Sequence, residues 1–442
     1  MLIINLILGV SLRDILDAIK ILREEGFLEE IDEMLSCRYE AAKIIDHADR
    51  RGKAVIFRTD CSPETVSVAN IISRREILYK FLDVRDDKDL YYKIRDAMNR
   101  PTKISNEKTF DNYYKRITKD LRLLPALYFY ERDGGRYFAS SIVIAKDPFE
   151  DIYNASIHRI MILDSDRCVA RIVPRHLYRI MTEHRKVGRE TPIAICFSPS
   201  PLVELAASMQ PEYGVFELEI ANTFMNNNLE VCRTPIHNLP VPCSCSHVIE
   251  ARITLEDVDE GPFTDILSTY DIVRKQPLIK IDEIYMSLSS YPFHIILPGG
   301  NEHKILMGIS KEADIYFAVS KVVRKVHKIR LTRGGGMWLH AIISIEKNHD
   351  GDAKNAILAA FAAHPSLKMV VAIDSDIDPD DLDQVEWALA TRFQASRGLI
   401  IISNARLSSL DPSSRDGLGD KIGIDATVPL AEREKFERAR IP

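Results

Sequence analysis

Leu12, Ile15, Leu16, Ile19 and Leu22 recur at one-face helical spacing, with Ser11 ahead of them in a capping position and Gly26 where the run stops. This predicts an opening helix. Up to about residue 115, charged helix-like segments alternate with short apolar runs such as 54–57, the texture of an α/β domain. From 123 to about 297 the texture changes to short β-rich runs at 128–130, 137–144, 193–197 and 247–253, with Asp133-Gly134-Gly135 as a hairpin signal between the first two. That middle region is expected to be mainly β with a few helices, closed as a barrel. In the last third, buried strand candidates at 341–345, 369–373 and 399–402 alternate with helix candidates at 353–363 and 379–393, which predicts a parallel sheet with helical crossovers.

Composition excludes classes more than it selects one. With 442 residues, 46% hydrophobic and 28% charged, the chain is ordinary globular protein, long enough for several domains. Lys and Arg number 59 against 65 Asp and Glu, a net charge of −6, and no long basic run exists to bind a phosphate backbone, so nucleic acid is not expected as a partner. Seven scattered cysteines make no disulfide framework and point to a reducing cytoplasm. The apolar segment 1–10 is about half a membrane span and lacks a basic n-region and cleavage site. It reads as a strand or a translated extension.

Several motifs look chemical. Asp374-Ser375-Asp376-Ile377-Asp378-Pro379 invites a calcium loop, but Pro379 and Val385 occupy the positions that need Gly and Glu, so Asp378 is expected to cap a helix begun at Pro379. The runs Gly334–Gly336 and Gly417–Gly423 lack phosphate-loop spacing and read as loop geometry, with Lys421 as a candidate anion contact. Cys243 and Cys245, with Cys232, His237 and His247 nearby, have atypical zinc spacing and read as structural cysteines and surface histidines. Asn154, His176 and Glu217 offer an amide, an imidazole and a carboxylate, types that suit a hard cation touching a phosphate, although their spacing alone decides nothing. Glu260 and Asp265 flank a Gly261-Pro262 turn, which makes either a solvated acidic loop or two carboxylates in one pocket.

Taken together and in order, these segments resemble the UbiD family of decarboxylases that use prenylated FMN, over about Ser11 to Pro429. The most specific carriers are Asp133-Gly-Gly-Arg-Tyr137, Asn154 to Arg159, Glu260-Gly-Pro-Phe263, Gly351-Asp-Ala-Lys-Asn-Ala356, Asp374 to Pro379 with Glu386 to Arg392, and Gly423-Ile-Asp-Ala-Thr427. The resemblance implies α/β plus β architecture in three domains: an N-terminal α/β domain over 1–115, a central flavin-binding split β-barrel over 116–300, and a C-terminal α/β domain over 301–442 that carries oligomerisation. It implies a Mn²⁺ site at Asn154, His176 and Glu217 that bridges protein and flavin phosphate. A K⁺ is implied beside it at the Ala206 to Met209 segment, and a catalytic set falls on Arg159, Glu260 and Asp265. Cofactor contacts are implied at Ser156, Ile157, His158, Arg175, Ala207, Met209 and Lys368 as well. Thr264 stands where relatives often have Gly, Ser246 where many have an acid, and Ala251 where many have Gly; these departures bear on substrate.

The implied activity is reversible, non-oxidative decarboxylation of a small α,β-unsaturated acid in the cytoplasm, by a homodimer or hexamer supplied with cofactor by a separate flavin prenyltransferase. A compact chain of this pattern looks closest to members that convert trans-anhydromevalonate 5-phosphate to isopentenyl phosphate. An aromatic acid such as a 4-hydroxybenzoate is the alternative substrate, and a non-catalytic flavin-binding protein the alternative class. Arg175 and Arg333 are candidate partners of a substrate phosphate, with solvation or pairing with the flavin as the equal alternative for both.

Overall fold

A computed structural model describes residues 12–439. The first helix spans Ile15–Glu24 and buries Ile15, Ala18, Ile19 and Leu22. Its cap is Asp14, whose carboxylate accepts the Leu16 and Asp17 N–H groups; Ser11, the expected cap, lies outside the described residues. Gly26, at φ +70°, ends the turn in the left-handed conformation. The parallel strands Leu28–Leu35 and Ala54–Thr59 follow, then Ser62–Ala69 antiparallel to the second, and this sheet is completed by Phe293–Ile295 from far along the chain.

The expected β-rich region is present, with longer strands than the apolar runs suggested. Tyr137–Lys146, Tyr153–Ile162, Arg167–Ala170, Thr191–Phe197, His247–Glu260 and Arg274–Ser287 are all antiparallel to their neighbours. Arg274–Ser287 pairs with Arg167–Ala170 and also with His247–Glu260, so the order of these strands returns to its start. The run at 128–130 forms only isolated bridges, Leu127 to Tyr137 and Arg38 to Tyr128, so the Asp133 turn joins no full hairpin. Phe138, Phe197 and Phe293 meet in the core with ring centroids 4.9–6.0 Å apart. Burying each such side chain contributes roughly 1.5–3 kcal/mol.

Two compact units emerge, one from residues 12–86 with 96–306, the other from 87–95 with 307–439. The second holds a five-stranded sheet in the order Lys325–Leu331, His340–Glu346, Met369–Asp374, Leu418–Asp425, Leu399–Arg406. Only its three middle strands are parallel; both outer strands run antiparallel, so the sheet is mixed rather than wholly parallel. Leu399–Arg406 is an edge strand with Ile401 61% exposed, not the buried strand its apolar run predicts. The helix expected from Pro379 begins at Leu382, because Asp381 rather than Asp378 accepts the first N–H groups, from Asp383 and Gln384. Asp374 and Asp376 instead clamp Arg392 at 2.5–3.0 Å. Among the described residues no helix is long and apolar enough to cross a membrane.

Candidate active site

The strand Tyr153–Ile162 carries five of the site residues expected from sequence: Asn154, Ser156, Ile157, His158 and Arg159. Asn154, Ser156 and His158 fall on one face by alternation. Asn154 is buried, and its Nδ2 donates to Glu217 Oε1 at 2.9 Å; Glu217 Oε2 accepts the Ala155 N–H at 2.7 Å. His176, first residue of the helix His176–Lys186, holds its Nδ1 4.0 Å from the same Glu217 Oε1. The three residues singled out as metal ligands are therefore together, with Glu217, 2% exposed, at their centre. Burial raises the Glu217 carboxyl pKa, and His176 and the Ala155 N–H only partly oppose the shift. A cation at this point would relieve that cost.

Proton counting around His158 frees a ligand atom. Its Nδ1 lies 3.0 Å from the Arg171 carbonyl, which can only accept, and its Nε2 lies 2.9 Å from the Ser156 hydroxyl. Burial lowers the His158 pKa to about 4, so the ring is neutral with its proton on Nδ1. Nε2 must then accept from Ser156, whose single proton cannot also serve Asn154 Oδ1, 3.0 Å away. Asn154 Oδ1 keeps its lone pairs for an ion.

Arg159, on the same strand, is the hub of a second cluster. Its Nε and Nη2 form a fork on the two oxygens of Glu260 at 3.0 Å each, Nη1 reaches Asp265 at 3.3 Å, and Nη2 also reaches Asp271 at 3.0 Å. Burial would lower the Arg159 pKa, but the Glu260 bonds and the other two carboxylates outweigh it and raise it, so the guanidinium stays charged. The Tyr137 hydroxyl donates to Glu260 Oε1 at 3.2 Å, and the Phe263 ring lies 5.0 Å from the guanidinium carbon. Glu260 is fully buried; the Asp265 side chain is 23% exposed. The acidic loop of the sequence is thus folded onto a buried arginine rather than left in solvent.

Two glycines allow this packing. Gly261 has φ +99°, and Gly134 approaches it so closely that a Cβ there would lie within 3.0 Å of the Gly261 carbonyl oxygen. Asp133 holds its own turn by accepting the Phe129 and Tyr130 N–H groups at 2.8 and 2.9 Å.

Other expected contacts are placed as follows. Ile157 is a half-buried residue of the Tyr153–Ile162 strand. Ala207 and Met209 are buried at the end of the helix Pro201–Ser208, where the Ala206 carbonyl accepts the Met209 N–H and the Leu205 carbonyl the Ser208 hydroxyl. Arg175 precedes the His176 helix, and its guanidinium donates to the Gln210 amide oxygen. Lys368, in the other unit, pairs with Asp411 at 2.9 Å, and Lys421 donates to the Pro365 and Leu367 carbonyls rather than to an anion. Arg333 is an exposed turn residue of that unit. His237 is bound to Asp282 at 2.8 Å and the cysteines are unpaired; among the described residues, the metal-compatible cluster of His, Cys and acidic groups is Cys37, Asp60 and Cys61.

The sequence reading missed Asp271, Arg171, Arg274 and the Tyr137 hydroxyl as members of the Arg159 cluster. It also missed the buried bridge in which His294 joins Glu204 at 2.7 Å and Glu302 at 3.1 Å.

Comparison with known proteins places the chain. Residues 19–98, 103–301 and 304–426 match the N-terminal, Rift-related and C-terminal domains of 3-octaprenyl-4-hydroxybenzoate carboxy-lyase. The chain belongs to the UbiD family of carboxy-lyases. It is 44% identical over 423 residues to anhydromevalonate phosphate decarboxylase of Aeropyrum pernix, covering 95% of each chain. The UbiD-class enzyme HmfF from Pelotomaculum thermopropionicum, solved in complex with FMN, superposes with a TM-score of 0.93 at 33% identity over 97% of each chain. An evolved dimeric form of that enzyme in complex with prFMN gives 0.89 at 31% identity, again over 97% of each.

Proposed function

We propose that this chain decarboxylates trans-anhydromevalonate 5-phosphate to isopentenyl phosphate with prenylated FMN, within a three-domain organisation divided near residues 115 and 300. The observation that carries the activity is the buried Arg159 fork on Glu260 with Asp265 alongside. A protein that merely bound flavin has no use for two acids on one arginine. Support for the substrate comes from the near full-length similarity to the Aeropyrum pernix enzyme.

The returning strand order of the first unit is read as the family's split β-barrel for flavin. Asn154 Oδ1, His176 and Glu217 are suited by donor type to hold Mn²⁺ against the flavin phosphate, and the carbonyls near Ala207 and Met209 to hold K⁺. Prenylated FMN, when bound, supplies the electron sink for the pair left as CO₂ departs.

The chain itself supplies orientation and the proton. Arg159 keeps one Nη1 N–H to direct the substrate carboxylate, which orients the bond between carboxyl carbon and alkene carbon for cleavage. That carbon gains a proton in place of CO₂. Glu260 is held by two Arg159 N–H groups and the Tyr137 hydroxyl, which suits an orienting carboxylate. Asp265 has one arginine contact and partial exposure, so it is the acid able to deliver a proton and recover one from solvent.

Unpaired cysteines accord with a cytoplasmic setting, and the apolar edge strand at Leu399–Arg406 with assembly into a dimer or hexamer. The test is CO₂ release by protein co-produced with a flavin prenyltransferase, which serves as the source of cofactor. Release from anhydromevalonate phosphate is expected; turnover of hydroxybenzoates with none from the phosphorylated acid overturns the substrate, and full activity with plain FMN overturns the cofactor.

A further inference from the structure

Three guanidinium groups converge on one carboxylate beside the acid pair. Asp271 Oδ2 is 3.0 Å from Arg159 Nη2 and 3.7 Å from Arg171 Nε, while Oδ1 accepts from Arg274 and, at 3.0 Å, from the Ile272 N–H. Oδ1 is filled by its two contacts, Oδ2 has one close contact from Arg159, and Arg171 stands beyond hydrogen-bond distance of it. Arg171 is left over: among the described residues its side chain makes no hydrogen bond, yet it is only 19% exposed. Arg159 has four of its five N–H groups on Glu260, Asp265 and Asp271, which leaves one on Nη1, and Arg274 meets Asp271.

We infer that Arg171 is the subsite for the phosphate of the substrate, a monoester dianion carried at the end of the acid opposite its carboxylate. This rests on the reading of the substrate given above. A guanidinium does not discharge by losing its proton, so a buried one without a close acceptor is matched only when an anion arrives, and its planar fork suits phosphate oxygens. Burial, together with the positive charges of Arg274 and Arg159, already lowers the Arg171 pKa, the direction expected of a cation short of counter-charge.

The position fits the substrate. Arg159 and Arg171 both reach the same Asp271 oxygen, so their contacting nitrogens are about 7 Å apart at most. An acid with a five-carbon main chain between carboxylate and phosphate covers a comparable length. The backbone that carries Arg171 is held in place, because its N–H donates to the Arg159 carbonyl at 3.3 Å and its own carbonyl holds the His158 ring. Arg175 and Arg333, the candidates drawn from sequence, serve less well: one already has the Gln210 oxygen, and the other is an exposed residue of the second unit.

The experiment compares kcat/KM for the phosphorylated acid and for its dephosphorylated alcohol in holoenzyme carrying Arg171, Arg171→Gln or Arg171→Lys. The preference for the phosphorylated acid is expected to fall at least tenfold in Arg171→Gln, through KM, with an intermediate value in Arg171→Lys and flavin absorbance retained in both. An unchanged preference in the Gln variant overturns the inference, as does loss of flavin without a change in preference, which would assign Arg171 to the cofactor. Should the Gln variant not fold, the Lys variant decides on the same ratio. A wild-type enzyme that ignores the phosphorylated acid overturns the substrate reading and this inference with it, and that outcome is read before any variant is made.

Discussion

Gly134 donates its N–H to the Pro262 carbonyl at 2.9 Å and leaves no room for a side chain against the neighbouring Gly261 carbonyl. Two segments far apart in sequence are thereby locked backbone to backbone at the base of the acid loop. Gly134→Ala is expected to force them apart, at a cost of about 1–3 kcal/mol, and to lower turnover at least tenfold by displacing Glu260. Thermal melting and CO₂ release measure the two effects; a variant equal to wild type in both contradicts the account.

Glu217→Ala removes the carboxylate on which Asn154 and His176 converge. An anionic flavin phosphate would then lack its compensating ion, so manganese and flavin are expected to disappear together. Metal analysis and the flavin absorption spectrum report this without any assay of activity, and retention of both means the ion sits elsewhere.

Glu260→Gln keeps the shape of a side chain that is 0% exposed but replaces one acceptor oxygen facing Arg159 by a donor. Flavin content should persist while turnover falls roughly a hundredfold or more, the scale of a positioned acid–base group. Near-normal turnover would return this turn to a passive role.

His294 gives a pH signature of stability. Burial would lower its pKa, but Glu204 and Glu302 outweigh that and raise it to about 10, against 6.5 for the free side chain. Below pH 6.5 both folded and unfolded chains carry the proton and the contribution is complete; between 6.5 and 10 only the folded chain keeps it, so stability falls with rising pH. The loss is at most about 1.4 kcal/mol per pH unit. In urea unfolding, the gap between wild type and His294→Gln should narrow from pH 7 to pH 9.5, and a constant gap refutes the charged bridge.

What was legible in the sequence was local. The face of the first helix and the strand cores near 193–197 and 369–373 follow from periodicity, because one buried face dictates each pattern. The edge strand Leu399–Arg406 misled for the same reason: Leu399, Ile400, Ile401 and Ile402 are apolar in a row, although solvent reaches Ile401. Caps were displaced by three residues at Asp14 and at Asp381, since an Asp or Ser near a helix start competes with its neighbours for the same N–H groups. Asn154, His176 and Glu217 were named through family likeness, whereas Asp271 and Arg171 gave no local signal. Their significance depends on a meeting with Arg159 that no spacing encodes.

The strand order that returns on itself also sets when the site can exist during folding. Arg159 and Glu260 are 101 residues apart, and closing the circuit requires Arg274–Ser287 to find both His247–Glu260 and Arg167–Ala170. The first of those pairings is a local hairpin; the second bridges a long loop whose entropy must be overcome before any contact rewards it. Closing that loop is what brings Arg159 to its carboxylates, so a chain cut short before Ser287 is expected to carry the arginine and its acids without the pairings that hold them together.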